Sequence, residues 1–233
     1  LAWGRLGKIR VSEAPFSPCI TAWGLMHKSH VFSEIKGVER ALKKREDVVE
    51  LRDFGAGCPA EGRLRKSSVA SMAKSASSDP RKGQWLMAAA HAVGADRRKP
   101  VRILELGTCL GSGGDYLLSG APKGSSYLGL EGSASLADLT RGRLQRHADA
   151  GMDVRVETGP FDQTLPEVIS AKRPFDLVFL DGCHEGEILM GQWQKIQPLL
   201  APNGIVVVDD IRWSVDMHAA WLRLASDPQL AAL

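Results

Sequence analysis

The stretch Phe175 to Gly186 reads FDLVFLDGCHEG, and it brings Asp181, Cys183 and His184 together within four positions. Residues of these types could hold a metal, attack as a thiol beside an imidazole base, or form the polar end of a buried strand. Thiol catalysis also needs a paired base and an oxyanion site. The spacing supplies neither, so Cys183 reads as a small packing residue. Three other apolar runs carry acidic residues at or near their ends: Glu105 in VRILEL, Glu131 in SSYLGLE, and Asp209 with Asp210 in GIVVVDD. If these runs are parallel strands, all the carboxylates stand along one edge of one sheet.

The elements that would place them there are legible from Val101 onward. Short β-rich runs (VRILEL, SSYLGLE, DVRVET, FDLVFLD, GIVVVDD) alternate with longer helical patterns, which predicts an α/β fold. The runs are almost continuously apolar, as expected of strands covered on both faces. A Rossmann-like, doubly wound, mainly parallel sheet follows, and ligands of such sheets bind beyond the carboxyl ends of the strands. Helices are expected over Ser133 to Ala150, opened by a serine cap, and over Glu185 to Leu200, closed by the turn APNG. Ser68 to Val93 reads as helical, broken near SSDPRKG by Pro80 and Gly83. Residues 67–233 are taken as the ligand-binding domain. Residues 1–66 are taken as an N-terminal extension or cap, helical in IKGVERALKKREDVVEL and loop or linker in DFGAGCPAEGRLRK.

Composition narrows the class. The 233 residues are 44% hydrophobic and 24% charged, an ordinary globular profile. No apolar run approaches the roughly 20 residues that span a bilayer, and the first residues lack a secretory signal, so the expected location is the cytoplasm. Four scattered cysteines (Cys19, Cys58, Cys109, Cys183) with no C-x-x-C pair suggest reduced thiols. Residues 1–100 hold 19 Lys and Arg against 10 Asp and Glu; the rest hold 11 against 17. A basic front could attract phosphates, but no aromatic-rich basic module accompanies it, so a nucleic-acid partner is not the leading expectation.

The first strand runs into ELGTCLGSGGD, where glycines let a backbone approach a ligand and a helix N-terminus offers unpaired N–H groups. A dinucleotide site would prefer G-x-G-x-x-G and no acidic residue beside the loop. Glu131, 24 positions after Gly107, is placed to accept from two ribose hydroxyls. Together these fit a nucleoside with a cationic, amino-acid-like or sulfonium tail better than NAD.

ELGTCLGSG, LGLEG, GPFDQTLP, FDLVFLDGCHEG and VVVDDIRW, in that order, resemble the motifs of class I S-adenosylmethionine-dependent methyltransferases, and the catechol O-methyltransferase-like branch in particular. RKGQWL at Arg81 to Leu86 is similar to the KGQ-containing helix ahead of that branch's first strand. The resemblance covers about residues 80–222. It implies that Glu105, Gly107, Thr108, Gly111 and Ser112 line the methionine part of S-adenosylmethionine. Glu131 with Gly132 would hold the ribose, Phe161 and Asp162 would flank the adenine, and Asp181 would serve both cofactor and catalysis.

The same resemblance implies a divalent, Mg²⁺-like cation held by Asp181, Asp209 and Asp210, which would orient and acidify the acceptor hydroxyl. Asp210 departs from the family's usual asparagine. Either the extra charge tightens a cation, or the site has been reassigned in a metal-free relative. His184 stands where the family has a lysine base, and an imidazole can fill that role; a substrate-orienting or structural histidine is the alternative. Trp213 would form a substrate wall or cover the core.

The family usually adds an antiparallel hairpin after the last helix, whereas this chain stops at WLRLASDPQLAAL, so that hairpin is expected to be missing. The expected function is O-methylation of a small-molecule acceptor. Methylation of RNA or protein through the basic N-terminal region, and a non-catalytic cofactor-binding subunit, are the alternatives. A homodimer contact is a further use for residues 1–66.

Overall fold

The computed structural model describes residues 22, 30–76, 79–97, 99–228 and 230. Helix α1 (His30–Leu42) leads into a hairpin of β1 (Val48–Asp53) and β2 (Arg63–Ser68), followed by α2 (Val69–Ser75) and α3 (Pro80–Arg97). The alternating core comprises β3 (Arg102–Leu106), α4 (Ser112–Gly120), β4 (Ser126–Glu131), α5 (Ala134–Asp149), β5 (Asp153–Thr158) and α6 (Phe161–Ser170). It continues with β6 (Phe175–Leu180), α7 (Gly186–Ile196), β7 (Leu200–Val208) and α8 (Val215–Ala225).

The five core strands run parallel in the order β5-β4-β3-β6-β7. The order reverses beside β3, so helices cover both faces, and the sheet is the doubly wound one the sequence predicts. On one face Leu86 of α3, Leu117 of α4 and Leu144 of α5 pack on Ile103 and Phe179. On the other, Leu165 of α6, Trp193 of α7 and Met217 of α8 pack on Leu104, Leu106 and Val178. All six residues of β6 are buried, which explains its unbroken apolar run. Each such Leu or Phe contributes about 1.5–3 kcal/mol by leaving water.

The upstream region departs from its sequence reading. Ile35 to Leu51 does not continue as one helix: α1 stops at Leu42, and Val48 onward pairs antiparallel with Arg63–Ser68. The β-branched pair Val48–Val49 favours the extended form. DFGAGCPAEGRLRK is accordingly a hairpin turn and its returning strand. Leu51 is buried against Val69, Met72, Leu110 and Leu136, a small third core that seats the hairpin beside the sheet's carboxyl edge. Residues 1–21 and 23–29, with Cys19 and most of ITAWGLMHKSHVF, lie outside the described residues.

Two smaller details also differ. Ser133 occupies the N-cap of α5, but its hydroxyl accepts from the Arg52 amide at 3.3 Å, tying down the hairpin instead of its own helix. APNG does not close α7; a 3-10 turn at Gln197–Leu199 does so, and APNG lies within β7 with Asn203 at φ +58°. Among the described residues no strand follows α8, and no helix is long and apolar enough to cross a membrane.

Candidate active site

A cleft of about 1300 Å³ opens beyond the carboxyl ends of β3, β4, β6 and β7. The hairpin turn, with Phe54 and Cys58, roofs one side, and the starts of α3 and α6 close others. The hairpin is fastened at both ends of this roof. Ser135 donates to the Glu50 carbonyl at 2.7 Å, and the Gly57 amide donates to Glu185 Oε1 at 2.7 Å.

Gly107 leaves β3 with φ +88°, and a Cβ there would lie 2.2 Å from the Asp181 carbonyl. Only glycine permits that approach of two strand ends. Cys109 follows at φ +47°, and Gly111 caps α4 in the left-handed region. The loop thereby folds back onto Glu131, whose carboxylate accepts from the Cys109 amide at 2.8 Å and the Ser133 amide at 2.9 Å. Burial pushes this carboxyl above its usual range, and the two amides pull the other way.

The site residues predicted from the sequence divide by position. Gly107, Glu131, Gly132, Phe161, Asp162, Asp181, His184, Asp209 and Asp210 line the cleft. Phe161 lies over Gly182, where a Cβ would meet its ring at 2.6 Å. Glu105, Thr108, Gly111 and Ser112 are not among the described lining residues. Thr108 is buried behind the loop, 3.5 Å from Glu131 and 3.2 Å from the Thr140 hydroxyl. Ser112 donates to Glu39 at 2.7 Å, joining the loop to α1.

Glu105 lies under α4, only 1% exposed, and burial pushes its carboxyl up to about 8 despite the Tyr127 hydroxyl donating to it at 2.5 Å. Below the ordinary value of 4.5, folded and unfolded chains both hold this proton. Between there and about 8 the unfolded chain releases it and the folded chain keeps it. Stability therefore falls by about 1.4 kcal/mol per pH unit from this group and levels off above that range. Glu105→Gln is expected to remove the slope. In urea unfolding at stepped pH, the variant should gain on the parent from pH 5 to 8; parallel curves would contradict a neutral buried carboxyl.

At the other end of the cleft the structure supplies a residue that the sequence reading did not single out for the site. Lys82, in the first turn of α3, places its ammonium 3.5 Å from Asp181 Oδ2 and in still closer contact with Asp209 Oδ2. Burial raises the Asp181 carboxyl well above its usual value, whereas Asp209 is held low by its hydrogen bonds with Asp181 and Lys82. Asp210, at φ +49°, turns its carboxylate to His184 Nε2 at 3.4 Å. The rings of His184 and Trp213 are 5.6 Å apart. The lysine of RKGQWL was the available signal.

This arrangement does not support the metal expectation. A hard divalent ion wants a cage of oxygens. Here two of the three carboxylates face an ammonium and the third faces an imidazole. Among the described residues no group of three or more His, Cys, Asp or Glu is arranged to hold a metal ion. Asp181, Asp209 and Asp210 as placed do not fit a divalent cation.

Cys109 and Cys183 line the cleft, and neither reads as a nucleophile. Burial pushes Cys183 up to about 11 and Cys109 up to about 12, far from a reactive thiolate.

Residues 104–211 match the family described as "Methyltransferase domain". A curated catechol O-methyltransferase of Mycobacterium tuberculosis is 39% identical over 111 residues, covering 47% of each chain. The O-methyltransferase hkm8 of Aspergillus hancockii is 29% identical over 148 residues, 61% of this chain and 54% of that one. The chain thus spans about half the length of the curated relatives it matches. In fold it is similar to an O-methyltransferase from Bacillus cereus in complex with SAH, with TM-score 0.59, 19% identity, and coverage of 90% of this chain and 89% of that one. It is likewise similar to an SAH-bound methyltransferase of Podospora anserina, with TM-score 0.56, 19% identity, and coverage of 94% and 91%.

Proposed function

We propose, from the match of residues 104–211 to the methyltransferase-domain family and the likeness to a catechol O-methyltransferase, that the chain is a class I methyltransferase of the catechol O-methyltransferase-like kind and transfers a methyl group from S-adenosylmethionine to an oxygen of a small-molecule acceptor. The observation that carries the reading is Glu131. A carboxylate at the end of β4, lining the cleft and held by the Cys109 amide of the glycine loop, supports a site for two ribose hydroxyls. The sulfonium end of the same ligand then points toward Asp181 and His184.

The chemistry is an in-line displacement, which depends chiefly on proximity and alignment. His184 takes the acceptor's proton on Nδ1, the ring nitrogen that does not face Asp210, and an oxygen lone pair forms the O–CH₃ bond. The C–S bond breaks with its electron pair returning to sulfur, giving S-adenosylhomocysteine, the methyl ether and one proton released from the imidazolium. Asp210, 3.4 Å from Nε2, stabilises that imidazolium. Trp213 and Ile188 give the acceptor an apolar wall. Two basic residues of the hairpin pair with its own carboxylates, Arg65 with Asp53 at 3.0 Å and Lys66 with Glu50 at 3.9 Å, which weakens the case for a nucleic-acid acceptor.

The reading is tested by incubation with methyl-labelled S-adenosylmethionine and a panel of hydroxylated small molecules, scoring labelled ether. His184→Ala is expected to lower turnover roughly 100-fold, the low end for a general base because Asp210 and water remain as proton acceptors. Its S-adenosylmethionine affinity, measured by calorimetry, should stay within about 3-fold, since the cofactor's anchor is elsewhere. Unchanged turnover would remove His184 from the chemistry.

A further inference from the structure

Lys82 is not a surface lysine that has met two carboxylates by chance. Helix α3 is pressed onto α4 at two places where a side chain could not fit: a Cβ on Gly83 would lie 2.3 Å from the Tyr116 ring, and one on Gly120 would lie 2.1 Å from the Met87 carbonyl. Gln84, Leu86 and Met87 beside it are buried. The helix therefore cannot shift without breaking the core, and Lys82 projects from its first turn with a side chain only 20% exposed. Asp181 and Asp209 meet it at 19% and 16% exposure. The Phe179 ring lies 5.9 Å below the ammonium.

An ammonium is a compact point charge with three donors and no demand for an oxygen cage. It neutralises carboxylates that would otherwise repel one another, and it repels a second cation brought within a few ångströms. With Asp181 and Asp209 engaged by Lys82, the third carboxylate, Asp210, pairs with His184 instead. We propose that Lys82 is the resident cation of this site, its ammonium holding the place between Asp181 and Asp209 that a divalent metal would need, so that the site takes up no divalent ion. Rested on the methyl-transfer reading, this makes methylation here independent of metal: Lys82 positions the carboxylates, and the activated oxygen is not a chelated one.

The test uses the full chain and Mn²⁺ as probe, read by the electron paramagnetic resonance of free Mn²⁺, with calorimetric S-adenosylmethionine binding in parallel. The parent and Lys82→Arg are expected to leave Mn²⁺ free up to about 1 mM, whereas Lys82→Met, with its carboxylates uncovered, should bind one equivalent at least ~10-fold more tightly. Asp209→Asn added to Lys82→Met should abolish that site. A parent that binds one equivalent of Mn²⁺ below about 0.1 mM and loses it in Asp209→Asn would overturn the proposal. So would a Lys82→Met variant that binds S-adenosylmethionine but not Mn²⁺. If Lys82→Met fails to fold, the parent and Asp209→Asn titrations still decide. Failure of the parent to bind S-adenosylmethionine would sink the methyltransferase reading separately and leave the Mn²⁺ result standing.

Discussion

Glu131→Ala is expected to weaken S-adenosylmethionine binding by roughly 10²- to 10⁴-fold, since two hydrogen bonds to a carboxylate are worth about 1.5–3 kcal/mol each. The loss has a second source. Glu131 already accepts from the Cys109 and Ser133 amides, so removing it also frees the glycine loop and the start of α5. Glu131→Gln separates the two effects, because its single carbonyl oxygen keeps one acceptor while the charge is gone. It should fall between parent and Ala in calorimetry. An affinity within about 3-fold of the parent in Glu131→Ala would mean that the ribose lies elsewhere.

Asp115→Ala is expected to destabilise the fold by about 3–5 kcal/mol, the range for removing one partner of a buried ionic network. For a chain of this size that lowers the melting midpoint by roughly 6–20 °C. Asp115 is fully buried in the first turn of α4. Its carboxylate meets Arg143 at 3.0 Å, Arg146 at 2.5 Å and His147 at 2.8 Å. Burial alone would raise its pKa; the His147 hydrogen bond and the two guanidinium groups outweigh that and hold it below the usual value. The stabilisation is therefore present above the unfolded chain's 3.8 and lost as pH falls through the lower folded value. Arg143 also reaches Glu39 of α1 at 2.5 Å and the Ser112 hydroxyl at 3.0 Å, so the variant should loosen α1 and the loop together. Thermal unfolding checks the prediction, and a midpoint within about 2 °C of the parent would contradict it.

The parallel sheet and the cleft's long floor were legible because each rests on local pattern. FDLVFL is buried at every position and reads as such, and Gly107, Glu131 and Asp181 stand where the strand ends put them. What the pattern could not carry was pairing between distant segments. RLRKSS has no apolar alternation because β2 is mostly exposed and is held by β1 and a single buried Leu51 opposite Arg65, so nothing in its own residues announces a strand. Lys82 and Asp209 are 127 positions apart; the sequence motif brought up the lysine but not its partner. Three carboxylates at strand ends therefore read as a metal site until the ammonium between two of them was located. The resemblance gives Glu105 and Ser112 to the cofactor, whereas their side chains face Tyr127 and Glu39.

The decisive measurement is a crystal structure of the chain soaked with S-adenosylhomocysteine. Both ribose hydroxyls are expected within hydrogen-bond distance of the Glu131 carboxylate, with adenine beside Phe161 and Asp162 and the sulfur turned toward Asp181 and His184. Density for the ligand away from Glu131, or a cleft that stays empty at saturating ligand while the crystal remains ordered, would contradict that placement.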